Sequence, residues 1–153
     1  LLQQLIAEHE KLLRQLDAQQ AAMKKLDVRA LEEACDQQQA TRMRIAGLES
    51  RRRLVVGQLA AALRIPAPAT LTRLAEAMPQ GRGRLLELRG RLKGLMTQIS
   101  TRSYVAGRLA GSVLGHLNTA MRLMSSAVEQ AGLYTKHGVP QISQRIGVLE
   151  AVG

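Results

Sequence analysis

The sequence predicts an all-α protein: an elongated antiparallel helical bundle or hairpin of three long helices plus one short connecting helix, with a poorly structured C-terminal tail. Three observations carry that prediction. First, residues 82–130 contain no proline, and stepping by three and four from Leu85 meets Leu88, Leu92, Leu95, Ile99, Arg102, Ala106, Leu109, Val113, His116, Ala120, Leu123 and Ala127. Eleven of these thirteen positions are apolar, which is the seam of a coiled-coil-like helix and not of a strand. Second, the 46% hydrophobic content includes no Phe or Trp and only Tyr104 and Tyr134. A core of Leu, Ala, Ile, Val and Met suits thin helix packing better than a thick globular interior. Third, the four prolines fall between or after the periodic stretches, where helices must end.

The first helix is expected over Leu1 to Lys25, on a stripe of Leu2, Ile6, His9, Leu13, Leu16, Gln20 and Met23 widened by Leu5, Leu12 and Leu26. Asp27 is the N-cap expected for the second helix, Val28 to Leu63, although the turn is short and lacks glycine. A continuous helix through this point is the alternative. The second stripe reads Leu31, Ala34, Ile45, Leu48, Val55 and Leu59, and Gln38, Thr41 and Arg52 interrupt it. Residues 64–69, Arg-Ile-Pro-Ala-Pro-Ala, break the pattern. Thr70 then caps a short helix, Leu71 to Met78, that Pro79-Gln80-Gly81 ends. The long helix follows, and at about 1.5 Å per residue it extends on the order of 70 Å. Gly94, Gly107 and Gly111 inside it are expected to permit close helix approach, not to end the helix. Gly132, Gly138 and Pro140 punctuate what comes after, so the reading is a single bundle domain over 1–130 and a flexible tail over 131–153, in which Ile142 to Leu149 could add a turn or two of helix.

With 153 residues there is chain for one domain and not for two comfortable ones. Cys35 stands alone, so no intrachain disulfide forms and nothing points to an oxidising compartment. No apolar run approaches a membrane span and no signal peptide is visible; the chain opens on Leu1 and is read as trimmed, with a leader left open. His9, His116 and His137 share no metal-ligand spacing with one another or with Cys35, which argues against a metal and against catalysis, and no cofactor is implied. His9 and His116 are expected as interhelical hydrogen-bonding groups and Cys35 as a small buried hydrophobe. Gly81-Arg82-Gly83 follows no strand and lacks a lysine-serine pair, so it is not a phosphate loop. Glu32, Glu33 and Asp36 read as a solvated helix face.

Residues 1–63 hold ten Lys and Arg against eight Asp and Glu, and residues 64–153 hold twelve against four. Most of the excess is Arg82, Arg84, Arg89, Arg91, Lys93, Arg102 and Arg108, opposed locally by Glu87 alone. A nucleic-acid footprint has this charge. The absence of interleaved aromatics and of any recognition helix argues instead for a solvated face or a site for an acidic protein.

Bundle geometry makes one further demand. If the second and long helices pair antiparallel from the Pro66 end, the second covers the long one to about residue 118, and the first folds back beside them. A second apolar stripe is then expected only on the distal half of the long helix, and Ala110, Leu114, Leu117, Met121, Met124 and Val128 supply it. The earlier equivalents Arg89, Lys93, Ser100 and Ser103 are polar. The last turns, with Met121, Leu123, Met124 and Val128, are expected to overhang. Such a surface suits a partner's amphipathic helix, and methionine repacks easily to receive one. The alternatives are a basic helical protein that dimerises through the same surface, or one that binds nucleic acid.

The order of motifs is also familiar. L-x-x-L-x-x-E-x-x-x-L (Leu2, Leu5, Glu8, Leu12) precedes a helix ending L-E-x-x-R-R-x-V (Leu48, Glu49, Arg52, Arg53, Val55), a proline-broken T-L-x-x-L connector (Thr70, Leu71, Leu74), a long helix, and Y-x-x-x-G (Tyr134, Gly138). This order resembles the FlgN-like family of flagellar export chaperones across nearly the whole chain. The resemblance implies a cytoplasmic protein that binds hook-associated (hook–filament junction) proteins and hands them to the flagellar type III export gate. It implies gate docking by Tyr134 and Gly138, whereas client binding by Ala110, Leu114, Leu117, Met121, Leu123, Met124 and Val128 is expected from the bundle geometry above. No role transfers to Thr101–Tyr104, where the family often has spaced asparagines, and Lys136-His137 depart from its usual acidic or small pair.

Overall fold

The computed structural model describes residues 1–130: α1 (Leu2–Lys25), α2 (Val28–Ala62), α3 (Leu71–Ala77), a 3-10 turn (Pro79–Gly81) and α4 (Arg82–Gln130), with no strand among them. The all-α expectation holds, and α4 is the longest element at 49 residues. The expected tail, including Tyr134, His137, Gly138 and the stretch Ile142 to Leu149, lies outside the described residues. The chain divides into two compact units, Leu1–Ala110 and Gly111–Gly153.

In the first unit the chain reverses after α1, and the continuous helix is excluded. Leu26 adopts a left-handed conformation (φ 55°), its N–H bonding to the Met23 carbonyl while that of Asp27 reaches back to Ala22. These two bonds close a helix end of the kind glycine usually supplies. Asp27 then opens α2, its Oδ1 accepting from the Ala30 N–H at 3.0 Å. The end of α2 repeats the device: Arg64 is left-handed (φ 53°), with its N–H on Ala61 and that of Ile65 on Ala60. Thr70 caps α3 through the Arg73 N–H, as expected from the sequence.

Interhelical bonds fix the register. Glu8 pairs with Arg44 at 3.0 Å, and Gln38 Nε2 donates to the Gln15 carbonyl at 3.3 Å and to Gln19 Oε1 at 3.1 Å, so α1 and α2 run antiparallel. On the other side Leu5 and Ile6 pack with Leu92 and Leu95, Glu10 pairs with Arg91, and Asp17 with Arg102 at 3.4 Å. Positions rise together along both helices, so α4 is parallel to α1 and antiparallel to α2, whose Ile45 and Leu48 join the same cluster as Leu88. Leu5, Leu16 and Leu74 are almost wholly buried, and truncating any one to alanine costs about 3 kcal/mol.

Several expectations about packing are corrected. Gln38 and Thr41 do not interrupt the α2 seam but lie within it, at 4% and 0% exposure. Beyond Leu48 the buried line runs through Val56 and Ala60, while Val55 and Leu59 are exposed. There α2 lies against α3, whose Leu74 and Ala75 are buried, and a step of four at each turn rotates the buried face toward it. His9 is buried, but its Nδ1 lies 2.7 Å from the Leu5 carbonyl of its own helix, so the bond is not interhelical. His116 and Cys35 are exposed. The glycines fare likewise: a Cβ built on Gly94, Gly107 or Gly111 meets nothing within 4 Å. They face open space, so no close helix approach depends on them.

Candidate functional site

The apolar side chains of α4 fall into two regimes. In the first unit Leu92, Leu95 and Ala106 are buried and Leu85, Leu88, Ile99 and Leu109 half-buried, following the seam read from the sequence. Ala110, the last residue of that unit, is half-buried. Together with Ser103 and Ala106 it lines a groove of about 500 Å³, opposite Leu16 and Met23 of α1 and Cys35 of α2. Small side chains on α4 leave this groove open, because they do not reach the facing helices.

In the second unit α4 continues to Gln130, and the apolar residues are exposed: Leu114 by 61%, Leu117 by 53%, Met121 by 66%, Leu123 by 67%, Met124 by 69% and Val128 by 43%. Leu114 and Leu117 were expected to lie under the first two helices, and this is corrected. The Ile45–Leu48 layer of α2 faces Leu88–Leu95, about two turns short of the register that pairing from the Pro66 end requires. The end of α2 is used instead to hold α3.

These residues form a surface with a definite chemistry. Leu114, Leu117, Met121, Met124 and Val128 recur at three- and four-residue steps on one stripe. Leu123 belongs to the neighbouring stripe with Val113, His116, Ala120 and Ala127, and the two together occupy about half of the helix circumference, apolar except at His116. The remaining half carries Gly111, Ser112, Gly115, Asn118, Thr119, Arg122, Ser125 and Ser126. Arg122 is the one Lys, Arg, Asp or Glu between Gly111 and Val128. Thr119 turns its hydroxyl onto the Gly115 carbonyl at 2.9 Å, satisfying it within the helix. A face of this kind offers dispersion and apolar burial and almost no ion pairing.

The basic cluster is less uniform than the sequence suggested. Its seven cations are exposed, but Arg91 pairs with Glu10 and Arg102 with Asp17, both on α1, besides the local Arg84–Glu87 pair at 2.8 Å. Gln20 Nε2 also donates to the Arg102 carbonyl at 3.0 Å. Only the fold brings these α1 groups alongside. No group of three or more His, Cys, Asp or Glu able to hold a metal occurs among the described residues. Met96, Tyr104 and Val105 are exposed, and the sequence assigns no role to any of them. Tyr134 and Gly138 lie outside the described residues.

Among comparisons with known proteins, a family profile described as FlgN protein matches residues 1–141. No curated protein and no solved structure matches the chain.

Proposed function

The chain belongs to the FlgN family of flagellar export chaperones, and on that premise we propose that it binds the C-terminal amphipathic helix of hook–filament junction proteins and delivers them to the type III export gate in the cytoplasm. The observation that carries the reading is the exposed, nearly uncharged apolar half of α4, with Leu114, Leu117, Met121, Leu123, Met124 and Val128. Ala110, assigned to the same role, lines the groove within the first unit. A holding chaperone needs no catalytic group. It needs an apolar surface that one amphipathic helix can cover and later leave. A client helix burying about 600 Å² of apolar area there gains on the order of 15 kcal/mol gross, most of it offset by ordering the client. Release at the gate therefore requires only a modest competing interaction. Among the described residues no helix is long and apolar enough to cross a membrane. Tyr134 and Gly138 are assigned to gate docking on the family resemblance.

A paired experiment separates the two roles. Met121→Glu with Met124→Glu abolishes binding to the C-terminal segment of a hook-associated protein while circular dichroism stays helical. Tyr134→Ala leaves that binding intact and weakens the gate interaction. If the double glutamate variant binds normally, the assignment of the α4 face is wrong. If instead it converts a dimer to a monomer with no loss of client binding, the face is a homodimer interface.

A further inference from the structure

We propose that the α2–α3–α4 end of the first unit is a docking surface for an anionic lipid bilayer. Between Arg51 and Lys93 stand ten Lys and Arg against Glu76 and Glu87, and from Arg51 to Ala75 there are five arginines and no acid. The fold gathers this sequence at one end. Leu48 of α2 packs in the same cluster as Leu88 of α4, so the arginines just after Leu48 lie level with those just before and after Leu88. Arg52, Arg84 and Arg91 are in ion pairs. Arg51, Arg53, Arg64, Arg82, Arg89 and Lys93 are exposed and have no carboxylate within ion-pair distance among the described residues.

A second, independent observation sets the kind of partner. Leu54 is 62% exposed, Leu59 38% and Leu63 39%, and the connector presents Pro66 and Pro68 to solvent. The Arg73 guanidinium donates to the carbonyls of Pro66 and Pro68 at 3.3 and 3.4 Å, holding that apolar connector to α3. Guanidinium groups around exposed leucines and prolines match an anionic membrane interface, where phosphates lie at the surface and hydrocarbon just below. A nucleic-acid backbone supplies the phosphates but nothing that takes up the leucines, and this end has no aromatic residue on which bases could stack. This docking stands independently of client binding on α4.

The test is co-sedimentation of the full chain with vesicles of phosphatidylglycerol and phosphatidylcholine, with phosphatidylcholine alone as the neutral control. Binding is expected only to the anionic vesicles. Each unpaired arginine contributes about five-fold, so Arg51→Glu with Arg53→Glu lowers partitioning by at least about twenty-fold. Leu54→Ser lowers it by about five-fold at constant salt. Arg14→Glu with Arg29→Glu, an equal charge change at exposed positions of α1 and α2 away from this end, changes it by less than about three-fold. Circular dichroism checks that each variant is folded. Equal losses in the two double variants would reduce the effect to net charge and overturn the site. No binding to anionic vesicles, or tighter binding to duplex DNA than to the vesicles, would also overturn it.

Discussion

Two glutamines at nearly equal burial should respond with opposite sign to the same substitution. Gln15 is 6% exposed, and neither Nε2 nor Oε1 of its side chain has a hydrogen-bond partner. Gln38 is 4% exposed, but its Nε2 donates to the Gln15 carbonyl and to Gln19 Oε1. An amide buried without partners carries a desolvation cost of about 1–3 kcal/mol, because water solvates it in the unfolded chain and nothing replaces that water in the fold. Methionine has nearly the same length and shape with no polar group to strand. Gln15→Met is therefore expected to stabilise the first unit by about 1–2 kcal/mol. Gln38→Met removes two hydrogen bonds and leaves Gln19 without its donor, and is expected to cost about 1 kcal/mol. Urea denaturation followed by far-UV circular dichroism reads both, as midpoints moving in opposite directions at unchanged m. The melting temperature of Gln15→Met should rise by about 3–6 °C. If Gln15→Met is destabilising, or the two variants move together, the Gln15 amide is satisfied in solution and the reasoning fails.

Other substitutions test single features. Gly47→Ala and Gly94→Ala, at helical positions where an added Cβ meets nothing within 4 Å, should each stabilise by about 1 kcal/mol in the same denaturation; a loss would mean that a neighbour approaches those backbones. Leu26→Gly should gain about 0.5–1 kcal/mol, since Leu26 is left-handed and 68% exposed, and a fall in the urea midpoint would show that its side chain packs. Arg102→Ala should cost less than about 1 kcal/mol, because its pair with Asp17 is at 3.4 Å and half-exposed on both sides. Thermal melting checks that value, and unfolding by the single change would place the Arg102 stem inside the core.

The candidate surface was legible one residue type at a time but not in its extent. Met121, Leu123, Met124 and Val128 stood out because apolar residues recur on α4 beyond the cover two shorter helices can give. Leu114 and Leu117 were placed under that cover, since the sequence does not say that the end of α2 is spent on holding α3. The α2 seam failed for a related reason. Gln38 and Thr41 look like interruptions on a polarity scale, yet a glutamine whose amide reaches a facing carbonyl can be buried as fully as leucine.

What the sequence determined by itself is the set of helices, their ends and the family. Period, proline and cap residues such as Asp27 and Thr70 act over a few neighbouring residues, and that information is local. The tertiary structure alone decided which faces are paired. It set Glu10 and Asp17 against Arg91 and Arg102, thinning a basic run that Glu87 alone opposes in sequence. It stranded the Gln15 amide, exposed Cys35 and His116, and left the glycines of α4 facing open space. Each of these depends on the register between helices tens of residues apart, which is fixed by the sum of many side-chain contacts and leaves no periodic trace in any one helix.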